Sequence, residues 1–217
     1  MAERSAAPGD PYGGRPPTSH ERRSGQPWDA SYQDGPAPWD IGGPQPAVVR
    51  LAARGGFAGS VLDAGCGSGE NALHLAGLGL PVLGVDVAET AVTLARRKAE
   101  QRGLRADFAV ADALRLEQLE RRFDTVLDCG LLHSFDGEER LTYLAGLAAV
   151  TEHGGTLYVL CFRPGPDAGP HPVTEEELRA ALTAVPGWEV AALEPERSET
   201  RFHDNGAPAW LATVKRS

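Results

Sequence analysis

Between residues 61 and 70 the sequence reads Val-Leu-Asp-Ala-Gly-Cys-Gly-Ser-Gly-Glu, a short apolar run that ends in an acid and breaks into three alternate glycines. Glycine has no Cβ, so Gly65, Gly67 and Gly69 let the backbone turn tightly and approach a ligand closely. An apolar run that turns through such glycines into a helical stretch opens a β-α-β unit. That restricts the chain to folds in which a mostly parallel sheet carries helices on its faces.

The rest of the chain repeats the alternation. Ser60–Asp63, Pro81–Asp86, Ala106–Asp112, Phe123–Cys129 and Thr156–Phe162 read as five successive strands. Helices are expected over 47–54, 71–78, 90–101 with Thr90 as its cap, and 138–152. Thr174 and Glu177 form a capping box that opens a further helix. Trp188–Leu193 and Ala209–Val214 give two last strands, and the polar link between them is too short for a helical crossover, so this pair is expected to be antiparallel.

Before Gln26 the sequence is dense in Gly, Pro and Ser and poor in aliphatics, so residues 1–26 are expected to form a disordered tail. Residues 27–217 are expected to form a single domain whose first part, 27–46, is a docked segment bearing Trp28, Tyr32 and Trp39. Thirty acidic against 21 basic side chains leave a formal charge of −9, with no basic run to displace counterions from a nucleic acid. No stretch approaches the ~20 apolar residues that span a bilayer. Cys66, Cys129 and Cys161 are odd in number and widely spaced, which suits a reducing, cytoplasmic setting and fits neither a disulfide framework nor a metal site.

Asp63, Asp86, Asp112 and Asp128 all fall at strand ends, where ligands of open α/β sheets bind. A carboxylate at the end of the second strand can accept both hydroxyls of a ribose. A dinucleotide is disfavoured, because its pyrophosphate at the helix N-terminus would meet Asp63 and Glu70 without an expected cation nearby. S-adenosyl-L-methionine carries a sulfonium and an ammonium and no phosphate, which suits the acids.

Leu62–Gly69, Val85-Asp86, Ala111-Asp112-Ala113 and Phe123–Asp128 resemble the successive motifs of class I S-adenosylmethionine-dependent methyltransferases. Pro38–Pro46 and Cys129–Phe135 are further similar to the thiopurine and thiol methyltransferase-like branch. The resemblance implies a Rossmann-like sheet of seven strands, mostly parallel, with an antiparallel last strand. It implies that Gly65 and Gly67 approach the methionine part of the cofactor and that Asp86 holds the ribose, with Cys66 and Val87 in the same cofactor site. Asp112 and Ala113 would read the adenine, Asp63 and Asp128 would belong to the same cofactor site, and Trp39 would fold over it. The acceptor would be a small molecule, with a thiol as the first expectation. Relatives often carry a basic residue where Gly43 stands.

His133 lies just past the fourth strand, on the ligand side, and is the candidate general base. A structural histidine that ties down its own loop is the reading favoured over the base. Cys129, Cys161, His133 and His171 have no spacing that argues for a metal.

Overall fold

A computed structural model describes residues 10–217. Seven strands form one sheet in the order β3-β2-β1-β4-β5-β7-β6. They are β1 Val61–Ala64, β2 Val82–Asp86, β3 Asp107–Val110, β4 Phe123–Cys129, β5 Thr151–Phe162, β6 Trp188–Thr200 and β7 His203–Arg216. The pairs β1·β2, β2·β3, β1·β4 and β4·β5 are parallel, and β7 runs antiparallel between β5 and β6. Strand order reverses between β1 and β4, which creates the crevice where such sheets bind ligands.

Successive strand residues point to opposite faces, and the core divides accordingly. Leu62, Val126 and Leu157 enter one cluster with Leu144 and Leu147, while their neighbours Val61, Leu127 and Tyr158 enter the other with Leu73 and Val92. The helices that cover these faces are α2 Pro46–Ala53, α3 Glu70–Gly77, α4 Glu89–Arg102, α5 Gly137–Val150 and α6 Glu175–Ala184, following the short α1 Ser19–Ser24. The Thr174–Glu177 capping box forms as expected. No helix among the described residues is long and apolar enough to cross a membrane.

Three expectations differ from the structure. First, α4 has Ala88 at its cap position with no side-chain bond of its own, and Thr90 lies inside the helix. Second, β5 starts at Thr151, opposite Phe123 across a register irregularity, and β6 and β7 continue through the polar stretch as one long hairpin. Ser198 pairs with Ala207 there, so polar residues extend a strand that has one solvent face.

Third, the expected disordered tail is ordered from residue 10 to residue 26; residues 1–9 lie outside the described residues. Thr18 and Glu21 form a capping box for α1, and the fully buried Glu21 carboxylate also accepts the Trp28 N–H and pairs with both outer nitrogens of Arg15. Arg22 and Ser19 reach Glu139, and Arg23 reaches Asp136, so α1 docks on the start of α5. The composition argument weighed only apolar burial, and this segment is held by paired charges and a cap.

Candidate active site

The ends of β1, β2 and β4 open onto a cavity of about 320 Å³, roofed by the N-terminal strap. Gly65, Gly67 and Gly69 all take left-handed φ, at 73°, 53° and 85°. At all three the space is also spoken for, and a Cβ on Gly65 would lie 2.7 Å from the Leu131 Cδ2. A Cβ on Gly69 would lie 2.7 Å from the Ala95 Cβ, and one on Gly67 would lie 2.8 Å from the Tyr32 hydroxyl. The turn therefore packs against α4 below and the strap above.

Asp86 ties the site together. Its Oδ2 accepts the Gly67 N–H at 2.8 Å and its Oδ1 accepts the Ala88 N–H at 2.9 Å. Burial pulls its carboxyl above the usual range, against the pull of these backbone N–H groups. Val87, Asp112 and Ala113 line the same cavity. Asp112 also caps the 3-10 helix Ala113–Leu119 by accepting the Leu114 N–H at 2.9 Å, so it is both a cap and a wall residue.

Asp63 and Asp128, expected at the cofactor site, are not among the residues that line the cavity. They are 1% and 0% exposed and stand behind the cavity wall. Asp128 accepts the Leu131 and Leu132 N–H groups and so shapes the loop after β4. Neither Asp63 oxygen has a hydrogen-bond partner, and burial raises both of these carboxyls to about 7.

Glu70 corrects the argument from a missing cation. Arg102 grips it at 2.8 and 2.9 Å and Lys98 at 2.8 Å. Burial alone would raise its carboxyl, but these cations hold it below the usual range. Lys98 also donates to Ser68, whose hydroxyl donates to Asp40 of the strap at 2.5 Å.

The strap runs over the cavity from α1 to α2. Tyr32 and Ala37 pack on Ala88 and Ala91 of α4, and the Trp39 indole N–H donates to the Tyr32 hydroxyl at 2.9 Å. Gln45 exchanges two hydrogen bonds with the backbone of Glu199, at 2.8 and 2.9 Å, which fastens the strap to the β6–β7 hairpin. Gly43 lines the cavity, and a Cβ there would meet open space.

His133 lines the other end, 7% exposed, with its ring 4.5 Å from that of Phe162. Burial, reinforced by His171 and His20, lowers it to about 3, and its Nδ1 has no partner. His20 stacks on Trp28 at 4.2 Å and meets His171 edge-on at 5.9 Å. Sequence reasoning missed Arg15, Thr18 and His20, which line the cavity from the stretch read as a tail. The Thr18-x-x-Glu21 capping box was the available signal. Cys66 and Cys129 also line the cavity, and burial pushes both thiols up. No cluster of three potential metal ligands exists among the described residues.

These residues fit S-adenosylmethionine. The glycine turn offers close backbone approach, and Asp86 keeps free lone pairs at the end of β2. A positive charge in front of the turn would favour the ionised form of the buried Asp63 carboxyl behind it. The cations near the α3 N-terminus are already bound to Glu70, and Arg15 is bound to Glu21, so a pyrophosphate would have to compete for them.

A family model described as a methyltransferase domain matches residues 61–155. A 2-heptyl-1-hydroxyquinolin-4(1H)-one methyltransferase from Mycobacteroides abscessus is 39% identical over 178 residues, 78% of each chain. A probable thiol methyltransferase 2 from Arabidopsis thaliana is 27% identical over 171 residues, 76% of this chain and 75% of that one. A solved structure described for the conversion of a disulfide bond into a thioacetal group during echinomycin biosynthesis is similar with a TM-score of 0.79. It is 37% identical and covers 88% of this chain and 91% of its own. Other similar enzymes have been solved with S-adenosylmethionine or S-adenosylhomocysteine bound. On sequence, sheet order and the glycine turn alike, the chain belongs to the class I S-adenosylmethionine-dependent methyltransferases.

Proposed function

We propose that this methyltransferase acts on a small, flat, apolar acceptor whose nucleophilic atom is an acidic sulfur, a thiol or thione. The observation that carries the reading is the burial of His133, whose ring lies 4.5 Å from that of Phe162 and whose Nδ1 has no partner. A ring lowered to about 3 is uncharged near neutrality and a weak proton acceptor, so the acceptor must supply its own anion. A thiol with a pKa near ~8.5 is a few per cent thiolate near neutrality, and that fraction is strongly nucleophilic, whereas an ordinary alcohol is almost wholly un-ionised. Trp28 and Phe162 line the cavity near this end, and their apolar side chains suit an aromatic acceptor.

In this reading Asp86 and Val87 hold the ribose, Asp112 and Ala113 flank the adenine, and the backbone of Gly65–Gly67 lies against the methionine part. Asp63 acts from behind the turn as a buried countercharge. Bound S-adenosylmethionine supplies an electrophilic methyl on a positively charged sulfur. Tyr32 and Trp39 close the cavity against water, which leaves the acceptor anion poorly solvated and more reactive. The walls fix the approach of the acceptor sulfur in line with the methyl, and alignment provides most of the acceleration. His133 packs on Phe162 and positions the loop after β4.

The sulfur chemistry of the echinomycin-related protein and the thiol methyltransferase name support this reading. The relative named for a hydroxyquinolone supports a second one, an acidic hydroxyl on a heteroaromatic ring. Methyl-deuterated cofactor incubated with thiophenol, 1-hydroxyquinolin-4(1H)-one, phenol and aniline separates them by mass spectrometry. Labelled methyl on thiophenol at least tenfold faster than on the others is expected. Transfer to the hydroxyquinolone alone would replace the first reading with the second.

A further inference from the structure

Cofactor and acceptor must share a cavity of about 320 Å³. Small-molecule sites run from ~300 to ~1,000 Å³, so this one is small for two occupants. A substituent beyond the reacting ring is best accommodated at the mouth.

The mouth is apolar on two sides. The Arg201 N–H donates to the Pro38 carbonyl at 2.9 Å, which sets the β6–β7 turn against the strap. The residues that follow each partner are Phe202 and Trp39. Both line the cavity, and they are exposed large hydrophobics, 75% and 37% exposed. Pro38 and Ile41 continue the lining on the strap side. Two aromatic rings left facing water at a cavity mouth cost solvation until something apolar covers them. The Thr200 hydroxyl and the His203 ring, which also line the cavity, bond each other at 2.6 Å.

We propose that the rim formed by Trp39 and Phe202 binds an apolar substituent of the acceptor, so that the enzyme selects acceptors with a flexible hydrocarbon side chain projecting from the reacting ring. The proposal rests on the flat-acceptor reading above and adds a second recognition element to it. Phe202 acts here as a specificity residue, remote from the transferred methyl.

The test is binding, read by calorimetry with S-adenosylhomocysteine present so that no turnover occurs. The probes are thiophenol and its 4-methyl, 4-propyl, 4-pentyl and 4-heptyl derivatives. A half-covered methylene should tighten binding roughly twofold, so 4-pentyl should bind more than tenfold tighter than 4-methyl in the wild-type chain. Phe202→Ser should flatten the series, and Phe202→Leu should restore most of the slope. A flat wild-type series with thiophenol itself binding, or an unchanged slope in Phe202→Ser, would overturn the rim while leaving the acceptor reading intact. Failure of thiophenol and every derivative to bind would overturn both.

Discussion

Asp29 accepts both the backbone N–H of Thr90, at 2.7 Å, and its hydroxyl, at 2.8 Å. A strap residue thus supplies the cap that α4 lacks locally, and its negative charge sits at the helix end that favours one. Asp29→Ala should cost about 1–2 kcal/mol of stability, the range for a lost cap. It should also weaken cofactor binding by loosening Tyr32 above Gly67. Urea unfolding and calorimetry on the same variant check both, and a stability loss with unchanged affinity would separate the strap from the site.

Glu21 offers a different kind of anchor. Burial raises its carboxyl, but the hydrogen bonds from Arg15, Thr18 and Trp28 overcome this and hold it down. Glu21→Ala leaves Arg15 buried and unpaired, a change that costs on the order of 3 kcal/mol in comparable pairs. Hydrogen exchange should then speed up over residues 12–32 while the amides of β1 and β4 stay protected. Uniform loss of protection would show that the segment is part of the global fold.

Asp86→Ala should weaken S-adenosylmethionine by roughly 1–3 kcal/mol, the range for hydrogen bonds to a charged group. Asn should recover little. Both carboxylate oxygens accept backbone N–H groups, so an amide would set its own N–H against one of them. Wild-type affinity in a folded Ala variant would remove Asp86 from the site.

Asp63 makes a pH prediction. Its folded pKa of about 7 lies above its ordinary 3.8, so its contribution to stability is fully present below the lower value and lost as pH rises through about 7. Asp128 shares this sign, while His133, lowered to about 3, loses stability as pH falls below its ordinary 6.5. Comparing Asp63→Asn with wild type isolates the first effect. Without cofactor, the variant should gain in relative stability from pH 4 to pH 7. A constant difference would mean that Asp63 titrates normally in the fold.

The sheet was legible because its signals are local. Val61–Leu62 and Val126–Leu127 are short apolar runs, and the glycine turn marks where the first becomes a helix. Asp86 was legible as a residue of the cavity wall because it ends the second strand, on the side where ligands of open α/β sheets bind. The strap's hold on α4 was not, since Asp29 and Thr90 lie 61 residues apart and neither looks unusual alone. The order of residues 10–26 was hidden for a related reason. Its anchors are charges that find partners more than 110 positions away, in Asp136 and Glu139. The burial of His133 depends on Phe162, a strand away, and local sequence carries no trace of it.

That burial leads to the most direct test of the account, which holds that the enzyme aligns an acceptor ionised on its own. kcat/KM for methyl transfer should be measured against pH for a series of substituted thiophenols of differing acidity, at saturating cofactor. The midpoint is predicted to move with each acceptor's own pKa, and His133→Phe should keep that pattern. A midpoint fixed near neutrality across the series, and lost in His133→Phe, would contradict the account and make His133 the base.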